Sequence, residues 1–454
     1  MIIFYLLILS LPLVDHPQIG YEIHGVTVEK LLGIACFFLA LCYLPNRKTF
    51  PQFTATGQAR AFLVFALLAL VNYALMVTPF DWHEMVGVIF TEVVFFIATS
   101  IFIDSRRRLE TAVLLLVGSI GLASLYVVKE WAGAISHYGL LYRPGSVAGD
   151  PNVFSASAVT VLPIMIAFAL GGNGWKRKFS IACLLLSLVA ILLASSRGAF
   201  IALIVILILQ MRDVRHRGKF IVVAIVITAL FLASPVSPLD RLLHPTESDM
   251  ESSDARLQLW SIAFRIIADH PIFGVGFWQF SPYMRKYLPF GSNLGFHVPH
   301  NTYLEITVEL GMVGLVLFLA MIFFTLLNLS RLRKAARRAG DEFTYSIATA
   351  LGNGLTAFVV AAFFVSTMHA RVFWFTIFLS TCLPLFLVTK AADKAPNGLS
   401  APDNAPAEPS ILEPQAEANQ PAPRATAMQG VPADRPTTRL ADEIDLRVDQ
   451  LKLP

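Results

Sequence analysis

The sequence predicts an all-α, polytopic membrane protein with about twelve transmembrane helices, one large extramembrane loop and a C-terminal tail. Hydrophobic residues make up 56% of the 454 residues and charged residues only 15%. The apolar residues come in blocks close to the ~20 residues that span a bilayer. The basic residues of the short loops also separate into alternate loops, as membrane insertion requires. Together these patterns exclude a single water-soluble domain.

Twelve apolar blocks are candidate spans. They cover roughly 1–14, 26–44, 61–79, 84–103, 109–128, 153–170, 179–195, 198–211, 220–236, 303–328, 345–366 and 372–389. The first block lacks a basic n-region and a small-residue cleavage site, so we interpret it as a span and not as a cleavable signal peptide.

The loop charges predict the topology. One set of loops is strongly basic: Arg47, Lys48, Arg60, Arg106, Arg107, Arg108, Lys176, Arg177, Lys178, Arg212, Arg215, Arg217, Lys219, Arg331, Arg333, Lys334, Arg337 and Arg338. The alternate short loops hold Arg143, Arg197 and Arg371. The positive-inside rule therefore places the basic set and both termini in the cytoplasm and the long loop 237–299 outside.

The run 179–211 is apolar except at Ser195-Ser196-Arg197-Gly198, and basic residues flank it on both sides. Two cytoplasmic flanks demand an even number of crossings, so the run must fold back at Arg197 as two short helices. A charge just below the outer membrane surface indicates a functional residue, although an interfacial arginine that snorkels to water is the alternative.

The outward loop 129–152 is rich in proline and glycine, which predicts a shaped turn. It places Arg143 and Asn152 on the same side of the membrane as Arg197, as candidate binding residues. Asp150 is interpreted as the cap of the next helix.

The long loop carries further polar candidates. Its acidic residues Glu247, Asp249, Glu251 and Asp254 match no metal-ligand spacing, so a solvated loop is the favoured reading and no metal is predicted. Residues 255–269 have helical periodicity and predict a helix at the membrane surface. Arg256 begins that helix, Arg265 lies farther along it, and His297 follows near the end of the loop.

A membrane helix is expected to start at about His300. Thr307, Gly311 and Gly314 would then share the face of His300, with the two glycines allowing close helix packing. The positive end of a helix disfavours a protonated imidazole, and a neutral histidine is what a general base requires. The alternative is a polar cap on an ordinary spanning helix.

Composition divides the chain into four regions. Residues 1–236 carry nine predicted spans, 237–302 the large loop, 303–390 the last three spans, and 391–454 the tail. The tail has ten prolines and no aromatic residue, which predicts a disordered cytoplasmic segment. Each of the four cysteines lies in an apolar block, which argues against disulfides and a zinc site.

The order of these motifs resembles the O-antigen ligase superfamily, which includes O-antigen and exopolysaccharide polymerases. The resemblance covers roughly residues 140–325. Four elements carry it: Ser196-Arg197-Gly198; Arg256 followed by Trp260; Asp269-His270-Pro271-Ile272-Phe273-Gly274-Val275-Gly276; and His300-Asn301, nine residues and Gly311-x-x-Gly314.

The resemblance implies an enzyme of the bacterial inner membrane that needs no cofactor and no metal. It would transfer a glycan from an undecaprenyl-diphosphate-linked oligosaccharide to an acceptor hydroxyl at the periplasmic face. His300 would be the base, Arg197 and Arg256 would bind the diphosphate, and Asn301 would orient His300 or the sugar. Arginine suits this role because it stays charged and binds phosphate bidentately.

The branch of the superfamily is a separate question. Leu315-Val316 follow Gly314 where ligases are usually described with two threonines, which favours a polymerase over a ligase that uses a lipid A-core acceptor. The expected partners are the lipid bilayer, the lipid-linked donor, a glycan or lipid A-core acceptor, and polysaccharide export or chain-length proteins, with no nucleic acid. A secondary transporter and a non-catalytic export partner are the readings from other classes.

Overall fold

The structure, a computed structural model, describes residues 1–13, 28–43, 54–77, 89–139, 142–145, 149–211, 221, 225, 228–229, 247–288, 298–368 and 370–387. These residues form helices and connecting turns without a strand, which confirms the all-α class. The tail, His297, His369 and most of the predicted span 220–236 lie outside the described residues.

Outside the predicted loop 237–302, the helices follow the apolar blocks of the sequence. They are α1 (Ile2–Ser10), α2 (Val28–Tyr43), α3 (Gly57–Met76), α4 (Thr91–Phe102), α5 (Arg106–Tyr138), α6 (Pro151–Gly171), α7 (Gly174–Ala194), α8 (Arg197–Met211), α9 (Glu247–Asp269), α10 (Phe280–Met284), α11 (Thr302–Ala339), α12 (Glu342–Ala361) and α13 (Arg371–Cys382). Short 3₁₀ turns extend α10 over Arg285–Tyr287 and α13 over Leu383–Phe386.

Six of these helices are long and apolar enough to cross a membrane: α3, α5, α6, α7, α11 and α12. Four shorter apolar helices of 10–17 residues accompany them, at Lys30–Tyr43, Thr91–Phe102, Arg197–Met211 and Arg371–Phe386. At 1.5 Å per residue, even 17 residues reach only about 26 Å, less than the ~30 Å hydrocarbon core. The chain is a multi-pass membrane protein, and the count of twelve spans stays a prediction.

The helices pack around α6, whose residues from Phe154 to Met165 are all buried. It contacts α5, α7, α8 and α12, while α11 packs between α3 and α12. A second, smaller apolar cluster joins α9 to the loop that follows it and includes Leu259, Ile262, Val275 and Phe280. This cluster fixes α9, predicted from its periodicity, against the start of α11.

Helix α5 has 33 residues, so its first and last residues lie about 50 Å apart. At its first residue, Arg106 donates to both carboxylate oxygens of Asp341, at 3.0 and 2.8 Å, and Lys176 pairs with Glu110 nearby. Loops that the charge pattern predicts to lie on one side of the membrane therefore meet at one end of α5. The loop of Arg143 follows the other end of α5.

Helix α11 breaks at Gly311, where φ is 67° and ψ −170°. The break leaves two carbonyls and two N–H groups without their helical partners. The carbonyls of Val308 and Glu309 accept instead from the N–H groups of Val275 and Gly276, at 2.9 and 3.1 Å. The N–H groups of Met312 and Val313 donate to the carbonyls of Pro271 and Ile272, at 2.9 and 3.3 Å.

The segment 271–276 thus replaces the missing helical bonds of α11, as a membrane-embedded backbone requires. This pairing explains why the two sequence motifs, at 269–276 and 300–314, occur together. It also corrects the expectation of one continuous helical face from His300 to Gly314. The helix begins at Thr302, and Gly311 packs against the backbone of the loop.

Replacing Gly311 by alanine is expected to lower the free energy of unfolding by about 3 kcal/mol. The added Cβ would lie 2.0 Å from the Ile272 carbonyl oxygen, on a backbone conformation that L-residues rarely adopt. Thermal unfolding of the purified protein in detergent measures the loss. Gly352→Ala is the matched control, because no heavy atom lies within 4 Å of that added Cβ and a helix interior favours alanine. Equal melting temperatures for the two variants would contradict the prediction.

Candidate active site

Arg143 lies in a short loop between α5 and α6 and is tied to two other segments. Its Nε donates to the carbonyl of Ala194, the last residue of α7, at 3.0 Å. Its Nη2 donates to Oδ1 of Asn152, in the first turn of α6, at 3.1 Å. Arg143 and Asn152, two of the predicted binding residues, are therefore in direct contact, next to the turn between α7 and α8.

Glu130, near the end of α5, shapes the loop that presents Arg143. Its carboxylate accepts from the Tyr142 hydroxyl at 2.8 Å and from the Gly145 N–H at 3.1 Å, on both sides of the arginine. The bond to Glu130 raises the pKa of Tyr142 to about 12. Glu130 is thus a positioning residue that sequence reasoning missed.

Arg197 begins α8 at the predicted turn. Helix α7 ends at Ala194, Ser195 adopts a left-handed conformation with φ 48°, and α8 starts two residues later. The carbonyl that binds Arg143 therefore lies three residues before Arg197. This turn brings two arginines from distant parts of the sequence together.

Arg256 joins them from α9. Burial lowers the pKa of its guanidinium, Arg197 lowers it further, Asp150 raises it and Arg143 lowers it. Burial likewise lowers the pKa of Arg143, with Asp150 raising it and Arg197 lowering it. Arginine remains charged through such shifts, because its ordinary pKa exceeds 12.

We call Arg143, Arg197 and Arg256 the arginine cluster. The three guanidinium groups lie within electrostatic reach of one another, and the carboxylate of Asp150 acts on Arg143 and Arg256. These four residues together carry an excess of two positive charges. In addition, Nε of Arg256 is buried and has no hydrogen-bond partner among the described residues. A buried guanidinium nitrogen without a partner is costly, and an anion could supply that partner.

His300 lies at the entry to α11, and the residue before it contacts α9, the helix that carries Arg256. The indole N–H of Trp260 donates to the carbonyl of Pro299 at 2.8 Å, which fixes the residue before His300 against α9. Trp260 is one helical turn from Arg256, on the same face. His300 itself is half-buried and has φ 49°, a left-handed conformation that histidine tolerates better than most residues.

Asn301 caps α11 directly after His300. Its Oδ1 accepts from the N–H groups of Tyr303 and Leu304, at 3.0 and 3.1 Å. Thr302 then anchors the helix start through its hydroxyl, which donates to the Val365 carbonyl at 2.7 Å. A direct role of Asn301 toward a sugar stays a prediction, while its capping bonds hold the backbone next to His300.

The segment 269–280 connects α9 to α10 and is held by several polar side chains. His270 and Asp269 bond to Tyr283 and Tyr287, at 3.0 and 2.6 Å. Asn72 of α3 donates to the Phe273 carbonyl at 2.6 Å and accepts from the Phe277 N–H at 2.8 Å. Sequence reasoning missed Asn72, although a polar residue inside an apolar span is a signal that could have found it.

Glu309 is a second such residue within an apolar run. It is 2% exposed, and its Oε1 accepts from the Phe280 N–H at 3.3 Å. Asn72 and Glu309 therefore hold the loop that sets α9, with Arg256, relative to α11, with His300.

One predicted residue, Arg265, is not brought into the cluster. Arg265 is exposed and lies nine residues from Arg256, which on a helix is about 13 Å away and on the opposite face. His297 lies outside the described residues. Gly314 is buried, and a Cβ there would meet the side chain of Leu310 at 2.2 Å.

Comparison with known proteins supports the resemblance noted in the sequence. Residues 182–319 match the family model described as O-Antigen ligase. The matched region contains Arg197, Arg256, His300, Gly311 and Gly314, whereas Arg143 and Asn152 lie before it. No curated protein matches the chain.

Proposed function

We propose that this chain, which carries an O-antigen ligase domain, transfers a glycan from an undecaprenyl-diphosphate carrier to an acceptor hydroxyl. The transfer would take place at the periplasmic face of the bacterial inner membrane. The domain assigns the coarser class, a membrane glycosyltransferase of the O-antigen ligase and polymerase type. The observation that supports the finer proposal is the arginine cluster, in which Nε of Arg256 has no hydrogen-bond partner among the described residues. Arg256 lies one helical turn from Trp260, which binds the carbonyl of the residue before His300.

Arg197 and Arg256 bind the diphosphate of the donor in this proposal. The donor carries two negative charges on its diphosphate, which match the positive excess of the cluster. Guanidinium groups also stabilise the charge that develops on the leaving diphosphate, because they are held in place before the reaction. Arg143 adds to this field, and Asn152 holds its side chain in position.

His300 accepts the proton of the acceptor hydroxyl. The oxygen of the acceptor then forms a bond to the anomeric carbon as the bond from that carbon to the diphosphate oxygen breaks. General-base assistance of this kind contributes about 10²–10⁴ to a rate. Asn301 supports it by fixing the backbone that follows His300.

A polymerase is the favoured branch, because Leu315-Val316 follow Gly314. Its acceptor would be a second glycan chain, and polysaccharide export or chain-length proteins would be its partners. Lipid A-core ligation is the other branch.

Deletion of the gene followed by gel analysis of the surface glycan tests the function. Loss of high-mass polymer with single repeats retained is the result expected of a polymerase. Free polymer that is not attached to lipid A indicates a ligase. An unchanged glycan profile, with the protein present in the membrane of the parent strain, would contradict both.

A further inference from the structure

Asp150 acts on Arg143 and Arg256 through its negative charge, and it also caps α6. Its Oδ1 accepts from the N–H groups of Asn152 and Val153, at 2.6 and 3.2 Å. Asn152 in turn binds Arg143 through its own Oδ1. Asp150, Asn152 and Arg143 therefore form one hydrogen-bonded unit at the start of α6.

The cap does not require a charge. Asparagine and serine cap helices about as well as aspartate, since each offers a side-chain oxygen to the same N–H groups. The negative charge of Asp150 is thus additional to its structural role, and its field acts on Arg143 and Arg256. A carboxylate placed among cations competes with any anion that binds there.

We propose that Asp150 sets the anion affinity of the arginine cluster and weakens it enough for the diphosphate product to leave. This inference rests on the proposed function. Transfer converts the donor, a diphosphate esterified at both ends, into a product with one free terminal phosphate. The acceptor proton passes to His300, and the terminal phosphate, with a second pKa near 6, gains negative charge at neutral pH.

The product is therefore more negative than the donor. A cluster of three arginines alone would bind it more tightly than the donor and so retain it. One fixed carboxylate opposes this trend, because it repels the more negative species more strongly. Asp150 would in this way favour release and turnover over tight product binding.

The variant Asp150→Asn tests the inference, because it keeps the shape and the capping oxygen and removes only the charge. Purified protein in nanodiscs is assayed for inhibition of transfer by added undecaprenyl diphosphate and for direct binding of that lipid. We expect about tenfold tighter inhibition and binding, a lower maximal rate, and a difference that shrinks as salt is raised. Asp150→Ser, which also retains a cap, should behave in the same way.

Asp150→Ala separates charge from capping. It should show the same tighter binding, together with a lower melting temperature that the Asn variant does not share. Unchanged binding and rate in Asp150→Asn would overturn the inference while leaving the proposed function intact. If the wild-type protein itself fails to bind undecaprenyl diphosphate, the proposed function fails.

Discussion

Replacing His300 by alanine is expected to reduce glycan transfer by about 10³-fold while the protein still accumulates in the membrane. The reason is the loss of the base that takes the proton of the acceptor, a contribution of about 10²–10⁴. The measurement is the rate of glycan transfer in membranes supplied with the lipid-linked donor. Binding of undecaprenyl diphosphate should persist, because the arginine cluster is unchanged.

Two further variants separate the base from the backbone. His300 has φ 49°, and asparagine tolerates that conformation without providing a base, so His300→Asn should be as inactive as His300→Ala. Added imidazole should restore part of the rate in His300→Ala, as it replaces the missing base. His137→Ala is the matched control, since His137 is an exposed histidine at the Arg143 end of α5. Transfer at the wild-type rate in His300→Asn would discard the general-base role.

Replacing Arg256 by alanine is expected to lower kcat/KM by about 10²–10³ and to weaken undecaprenyl diphosphate binding. These factors correspond to the loss of one or two charge-assisted hydrogen bonds to phosphate. Arg256→Lys should lose about tenfold, because it keeps the charge and loses the planar fork. Steady-state kinetics and binding of the diphosphate lipid give the two numbers.

The stability of the Arg256→Ala variant should not fall with its activity. The Arg256 guanidinium is desolvated and lies near two like charges, and its Nε has no partner among the described residues. Removing it should therefore leave the melting temperature unchanged or raise it, the trade-off expected of a functional residue. Arg285→Ala, an exposed arginine of the same loop region, should change neither activity nor binding. A large fall in the melting temperature of Arg256→Ala would mean that Arg256 is structural instead.

Residues 255–269 and the stretch from His300 to Gly314 show what a local sequence pattern can and cannot predict. Helical periodicity predicted residues 255–269 as a helix, and α9 covers them. The same periodicity, continued from His300, predicted an unbroken face through Gly311, and there it was wrong. Periodicity indicates which side of a helix is apolar. It does not indicate where a helix is interrupted and another backbone segment supplies the missing hydrogen bonds.

The amino-acid sequence by itself determined the membrane class, the helical blocks, the charged residues of the loops, and the superfamily motifs. All of these follow from hydropathy, charge and spacing, which are local properties of the chain. Only the tertiary structure decided that Arg143, Arg197 and Arg256 lie near one another, with Asp150 acting on two of them, and that segment 271–276 completes α11. Those contacts join residues far apart in the chain, and they depend on how helices pack and on where each buried polar group finds its partner.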